Sequence, residues 1–414
     1  MAEITKAMKI IYVHQYFRTP EEGGAVRSFH LAMGMIRAGM EVEMITAGNQ
    51  PSYDQQWING IKVHYLPIPY DQSFGFLKRV IAFWRFFRQS KTLIKKLKRP
   101  DLLYISSTPL TTGLIGLWAK KKLALPYVFE VRDLWPEAPI QVGVIQNAFL
   151  KKTLYKLESK IYHEALKIVA LSPGIASYIR NIDPKIPVSI IPNFADLERF
   201  FPQEKSPASL KKYGLTDDLT IVYTGAIGEV NAVDELISLA QLAQENEKAW
   251  QFLIMGNGSK KEEIIQSVKN LKLQNVSFIP FGSRGRVHEV LCLADFAWVS
   301  FAHLPVLKTN SPNKFFDAIS SGKAIIVNHK GWVYQLVQEF DLGISCLPGK
   351  MQQCFEMLEE LEMHPEQIQQ MQKNARRLAE QNFSKEQAQR RLAQLLDPSH
   401  NPPIAGDEAY ILTA

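Results

Sequence analysis

Short runs of β-branched and aliphatic residues, each followed by a stretch of helical periodicity, recur along this chain. After a proline-bearing interval the alternation starts again. Residues 9–14, 41–46, 62–66, 102–105, 127–131, 167–171 and 188–191 read as strands, with helical periods between several of them, as at 25–38 and 111–123. From 219 the pattern restarts: strands at 219–224, 251–255, 276–279, 296–299 and 324–327 alternate with helices at 233–244, 260–270, 286–293 and 313–320, and 352–396 is helical. Such alternation builds a parallel sheet covered by helices on both faces. Two halves of this kind predict two Rossmann-like, doubly wound α/β domains facing each other across a cleft, with ligands outside the carboxyl ends of the strands. The expected division is 1–195, a connection at 196–218, 219–380, a terminal helix at 381–396 and a frayed tail at 397–414.

The composition suits that plan. With 46% hydrophobic and 21% charged residues among 414, the chain can bury large cores and is not disordered, collagen-like or disulfide-stapled. Its three cysteines, Cys292, Cys346 and Cys354, form no disulfide framework or metal-ligand spacing, so a reducing cytoplasm is expected. No window holds 18 uninterrupted apolar residues, and the run at 110–118 is stopped by Lys120, Lys121 and Lys122, so no spanning helix is expected.

Lys plus Arg outnumber Asp plus Glu by 48 to 41, a net charge of +7 that allows an anionic partner without demanding nucleic acid. The excess is concentrated. Residues 74–99 carry nine cations and no acid, interleaved with aromatic residues, and Leu77, Ile81, Trp84 and Arg88 share one helical face. A basic, aromatic, amphipathic helix can lie on an anionic membrane surface. The plainer alternative is a core-packed helix with a solvated basic rim.

Several loops could carry chemistry. Gly23-Gly24 stand between the first strand and its helix, where backbone N–H groups attract phosphate, and Arg27 could add a cation. Gly225-Ala226-Ile227-Gly228 and Gly256-Asn257-Gly258 repeat the theme after two later strands. Each alone reads equally as an ordinary βα turn; together they point to a phosphorylated or nucleotide ligand. None matches a P-loop or a full dinucleotide fingerprint, which disfavours ATPase and dehydrogenase readings. Glu130-Val131-Arg132-Asp133 ends a strand in charges, which face either a ligand or a structural ion pair. Ser311 reads as an N-cap with Pro312 at the first helical position, followed by Asn313. Lys314 and Asp317 then share the first turn, a cation suited to phosphates and a carboxylate suited to ribose hydroxyls.

Taken in order, Glu130 to Glu137, Ile191 to Asp196, Tyr223-Thr224-Gly225, Ile254 to Gly258, Ala294-Asp295 and Ser311 to Gly322 resemble the family 4 glycosyltransferases, retaining enzymes of the GT-B architecture. The nearest resemblance is to bacterial polysaccharide-assembly members with an R-D-L-W-P-E stretch, and it spans nearly the whole chain. It implies an acceptor held by the first domain, a nucleoside diphosphate sugar held by the second, a final helix crossing back to the first domain, and no metal or other cofactor. The catalytic set it implies is Arg132, Asp133, Lys314 and Asp317. Donor contacts fall on Gly23, Gly24, Gly225, Gly256, Asn257, Gly282, Arg286, Ser311, Pro312 and Asn313, with Arg284 and Arg286 framing the base.

The chain departs from the family in three places. The family commonly has two glutamates separated by seven residues, where this chain has Thr309 and Asp317. Arg132 stands where many members have a histidine, and a guanidinium cannot act as a base. The loop from Gly225 to Asn231 lacks the usual basic pair. The resulting expectation is transfer of a sugar from a nucleoside diphosphate sugar to an acceptor hydroxyl with retention. The acceptor is a saccharide or lipid-linked saccharide, the setting cell-surface polysaccharide or glycolipid assembly. The protein would be cytoplasmic, or peripheral at the inner face of the cytoplasmic membrane, with no nucleic-acid partner. The alternatives are a sugar-nucleotide epimerase of the same architecture and a catalytically silent glycan- or nucleotide-binding protein.

Overall fold

A computed structural model describes residues 7–22, 24, 26–70 and 74–401. The chain divides into two compact units. The first is built on residues 24–192, with the opening strand before them and the chain from Glu386 onward; the second is built on Asn193–Lys385. Each is a Rossmann-like α/β unit.

The first unit holds an eight-stranded sheet. Its strands are β1 (Lys9–Val13), β2 (Glu41–Gly48), β3 (Asp54–Ile58), β4 (Ile61–Pro67), β5 (Leu102–Ser106), β6 (Tyr127–Val131), β7 (Lys167–Ala170) and β8 (Val188–Ile190). They lie in the order β3-β4-β2-β1-β5-β6-β7-β8. Every pairing is parallel except β3 with β4, an antiparallel hairpin that the sequence pattern did not signal. β3 reads Asp-Gln-Gln-Trp-Ile and is largely exposed at the sheet edge, so it lacks the apolar run that marks a buried strand. β1 is the opposite case: Lys-Ile-Ile-Tyr-Val is buried at all five positions because helices cover both faces.

The order reverses between β1 and β5, which makes their carboxyl ends the crevice where such sheets take ligands. The terminal helix Lys385–Leu396 lies on the helix Arg27–Arg37. Gln389 Nε2 donates to His30 O at 2.7 Å, Arg37 donates to Gln389 Oε1 at 3.1 Å, and a Cβ on Gly34 would stand 2.6 Å from Gln389 Cβ.

The long helix Phe76–Lys96 buries Ala82, Phe86, Ser90 and Ile94. Its opposite side exposes Leu77 (74%), Ile81 (58%) and Trp84 (52%), the face the sequence pattern grouped.

The second unit holds a six-stranded, wholly parallel sheet: β9 (Thr220–Ala226), β10 (Gln251–Asn257), β11 (Val276–Ile279), β12 (Phe296–Val299), β13 (Ala324–Val327) and β14 (Gly343–Ser345). The order is β11-β10-β9-β12-β13-β14, so the reversal falls between β9 and β12. Its core is aromatic, with Trp250, Phe252, Phe296 and Trp298 fully enclosed. β14 and the helix Trp332–Glu339 were not read from the sequence; β14 spans three residues, too short for a periodicity.

Candidate functional site

In the first unit the polar residues gather at the reversal point. His14 follows β1, Ser107 follows β5, and Arg132 and Asp133 follow β6. Arg132 Nη1 lies 2.9 Å from His14 Nε2, and its backbone N–H donates to Ser107 Oγ at 2.9 Å. Because a guanidinium only donates, Nε2 must accept, so the proton sits on Nδ1 and donates to Ser28 Oγ at 2.8 Å. The imidazole is therefore neutral. Burial, followed by the charge of Arg132, lowers its pKa to about 3. Asp133 keeps an exposed face, yet desolvation by the protein around it raises its carboxyl above the ordinary range, against the opposing charge of Arg132.

Arg27 is not available to a phosphate. It is buried, donates to Glu130 Oε1 at 2.9 Å and to Ile191 O at 2.7 Å, and also bonds to Pro192 O. Glu130 is fully enclosed and accepts from Tyr104 and Ser106 as well. Burial pushes its carboxyl upward, but Arg27, Arg132 and the Ser106 hydroxyl outweigh it and hold the pKa at about 2. The charge expected to meet a ligand is thus half of a structural pair. Gly24 is exposed with φ 82°, a conformation that suits glycine; Gly23 lies outside the described residues.

In the second unit Lys314 occupies the reversal point. Its Nζ donates to Ser300 O, just past β12, at 3.1 Å and to Tyr223 Oη, on β9, at 3.2 Å. It stands 4.5 Å from the centroids of both the Tyr223 and Phe301 rings. Among the described residues no carboxylate reaches ion-pair distance. Burial lowers its pKa to about 7. A half-buried cation held by two rings, a phenol oxygen and one carbonyl, without a carboxylate partner, suits an anion.

The glycines beside it have specific reasons. Gly225 is at φ 150°, and a Cβ there would lie 3.5 Å from Lys314 Cε. A Cβ on Gly256 would fall 2.0 Å from Gly225 O, so that glycine allows the close approach of β10 to β9. Asn257 ends β10, is exposed, and accepts from Gly258 N at 2.9 Å.

The helix Asn313–Ser320 begins differently from the sequence expectation. Pro312 is its N-cap, not its first helical residue, and no side chain caps the first turn. The Ser311 hydroxyl is turned away to accept from Asn193 N at 3.1 Å, and Ser311 O accepts from Asn193 Nδ2 at 2.5 Å. The first-turn N–H groups are left without a side-chain acceptor, a setting that favours an anion.

Asp317, one turn on, receives a two-pronged contact from Arg284, at 2.7 and 3.3 Å. Burial raises its carboxyl and Arg284 opposes the rise. Arg284 also lies 4.6 Å from the Phe200 ring centroid. Arg286 is exposed, its side chain against Gly282, in the helix Arg284–Cys292 that Ser283 caps.

Lys314 and Asp317 share a turn but serve different neighbours. His14, Ser28, Tyr223 and Phe301 were missed by sequence reasoning. For His14 the signal was present, a polar residue directly after an apolar strand. Tyr223 stood in the Tyr223-Thr224-Gly225 stretch, but nothing local marked its ring as a partner for a lysine, and Phe301 gave no signal. Among the described residues no group of three or more His, Cys, Asp and Glu gathers as a metal site, and no helix is long and apolar enough to cross a membrane.

Two family models match the chain: the glycosyl transferase 4-like domain over residues 22–193 and glycosyl transferases group 1 over 205–378. No curated protein matches. Solved structures agree with the fold at low identity. Sucrose-phosphate synthase from Thermosynechococcus elongatus matches with a TM-score of 0.77 at 16% identity, over 94% of this chain and 98% of that one. Anabaena HepE, in a complex with UDP and glucose, matches with a TM-score of 0.68 at 15% identity, over 94% of this chain and 100% of that one. WaaG, a glycosyltransferase involved in lipopolysaccharide biosynthesis, gives 0.68 at 14% identity, over 94% and 99%. With both family models matching the two units in turn, the chain is a glycosyltransferase of the GT-B superfamily.

Proposed function

We propose that this protein transfers a sugar, with retention, from a nucleoside diphosphate sugar held by the second unit to an acceptor hydroxyl held by the first. The observation that carries the reading is Lys314: half-buried, unpaired with any carboxylate among the described residues, and set at a reversal point beside a helix terminus that no side chain caps. A leaving diphosphate gains negative charge as the glycosidic bond breaks. A fixed cation and fixed N–H groups stabilise that charge without reorganising.

Asp317, oriented by Arg284, keeps lone pairs for ribose hydroxyls. On the acceptor side Arg132 stays protonated and cannot take the acceptor proton; the leaving phosphate accepts it, with Asp133 orienting the hydroxyl. HepE is named with UDP-glucose, which supports this donor class.

The acceptor is a saccharide or lipid-linked saccharide met at the inner face of an anionic membrane. The helix Phe76–Lys96 supports this, with apolar residues exposed among its lysines and arginines. Next to it, Tyr53, Arg85, Arg88 and Lys96 line a groove of about 790 Å³. Flotation with neutral and anionic vesicles tests the surface: salt-sensitive binding to the anionic set supports it, and no binding to either contradicts it.

The reaction itself is tested by supplying UDP-, GDP-, dTDP- and ADP-sugars with saccharide and polyprenyl-diphosphate-linked acceptors. Acceptor-dependent release of nucleoside diphosphate, with the product's anomeric configuration unchanged by NMR, is expected. Isomerised donor without acceptor would point to an epimerase. Binding without turnover would point to a silent binding protein.

A further inference from the structure

Beside Lys314 lies a cavity of about 210 Å³, comparable to a single sugar ring, whose purpose the donor reading leaves open. It is framed by the loops that follow β12, β13 and β14. Lys308, Lys330, His303 and His329 line it, with Leu304 and Pro348. One ring separates it from Lys314, whose Nζ is 4.5 Å from the Phe301 centroid, while His329 lies edge-on to Phe301 at 5.1 Å.

Its lining contains no carboxylate. Among the described residues Lys308 and Lys330 have no ion-pair partner. His303 is held by Glu235 at 2.5 Å. His329 is buried, with 4% of its surface accessible, and its Nδ1 lies 3.1 Å from Asn328 Oδ1. Asn328 Oδ1 already accepts from Phe301 N, so Nδ1 carries the proton and Nε2 is left as an acceptor with no partner in the protein. Thr309 offers no acid either: its hydroxyl donates to Val306 O at 2.7 Å.

A neutral hexose is usually gripped by carboxylates and amides that accept from its hydroxyls. This cavity instead offers one acceptor and two unpaired ammonium groups. Resting on the donor reading above, we propose that the cavity takes a hexuronosyl group: the protein's donor is a nucleoside diphosphate hexuronic acid, whose carboxylate meets Lys308 and Lys330 and one of whose ring hydroxyls donates to His329 Nε2. The two lysines extend from exposed loops, so their replacement leaves the core intact. They act on which sugar binds and leave the diphosphate contact to Lys314.

The test is calorimetric titration of the full chain with UDP-glucuronate, UDP-galacturonate and GDP-mannuronate. Each is compared with its neutral counterpart, UDP-glucose, UDP-galactose or GDP-mannose, and with UDP and GDP alone. One uronate is expected to bind at least about tenfold more tightly than its neutral partner. The Lys308→Gln/Lys330→Gln double variant should erase that advantage without changing the Kd of the free nucleoside diphosphate. If nucleoside diphosphates bind but neutral sugars match or exceed the uronates, or the advantage survives in the double variant, the uronate assignment is overturned and the donor reading stands. If no nucleoside diphosphate or sugar derivative binds, both fall.

Discussion

The two units place charge at equivalent points of their sheets and treat it in opposite ways. At the reversal point of the first, Glu130 is enclosed and answered by Arg27 and by hydroxyls, and Arg132 is held by a neutral His14. At the reversal point of the second, Lys314 is half-buried and meets only a phenol oxygen, a carbonyl and two ring faces. The buried carboxylate of the first is answered by a guanidinium before any ligand arrives; the cation of the second has no carboxylate to answer it. An open cation suits an anion that completes it. The same sheet topology thus yields two different sites, because the partners of each charge come from different elements.

The largest expected effect separates the two sites by stability. Glu130→Ala strands a buried guanidinium and should destabilise the protein by about 3–5 kcal/mol in chemical denaturation. Lys314→Met removes a half-buried charge that has no carboxylate partner, and should leave the ligand-free protein as stable or more so. Equal losses in both would break the contrast.

His14→Leu comes next. It removes the acceptor from Arg132 and should cost about 1.5–3 kcal/mol, the range for hydrogen bonds to charged groups. His14→Gln, which can both accept and donate, should recover part of it. Gly256→Ala is expected to cost about 1–3 kcal/mol by forcing β10 away from the Gly225 carbonyl. A silent substitution there would show that the strands yield.

The smallest effects are in pH dependence; they share a sign, stability rising with pH, but fall in separate windows. Glu130 stands at about 2 against an ordinary 4.5, so its contribution is complete above 4.5 and is lost as pH falls toward 2. Lys314 stands at about 7 against an ordinary 10.5. Between those values the unfolded chain holds the extra proton, so stability of the ligand-free protein rises with pH across that window, and Lys314→Met should remove the rise. Nucleoside diphosphate affinity should fall as pH climbs through about 7.

The sequence carried the doubly wound pattern because buried parallel strands are near-continuous apolar runs, as in β1. It did not carry β3, whose residues face solvent at an edge. Lys314 was legible as a cation in the first turn of a helix. That Tyr223 would hold it was not, since that residue lies 91 positions away. Arg27 was misread for the same reason: its partner Glu130 is 103 residues distant, and a charge seen without its partner looks free. Ser311 was misassigned as a cap because its competing acceptor role toward Asn193 depends on a contact 118 residues away. Local chemistry was readable; the pairing of charges across the fold was not.

The open cation is the centre of this account, and one titration addresses it. UDP, GDP, dTDP and ADP are titrated into the wild-type protein and into Lys314→Met, with thermal unfolding as a parallel readout, since a ligand that binds only the folded state raises its stability. At least one nucleoside diphosphate should bind the wild type and raise its Tm. The Lys314→Met variant, equally folded, should lose about a hundredfold or more of that affinity, the scale of losing a preorganised charge-assisted contact. Binding of the same strength in both proteins, or none in the wild type, would contradict it.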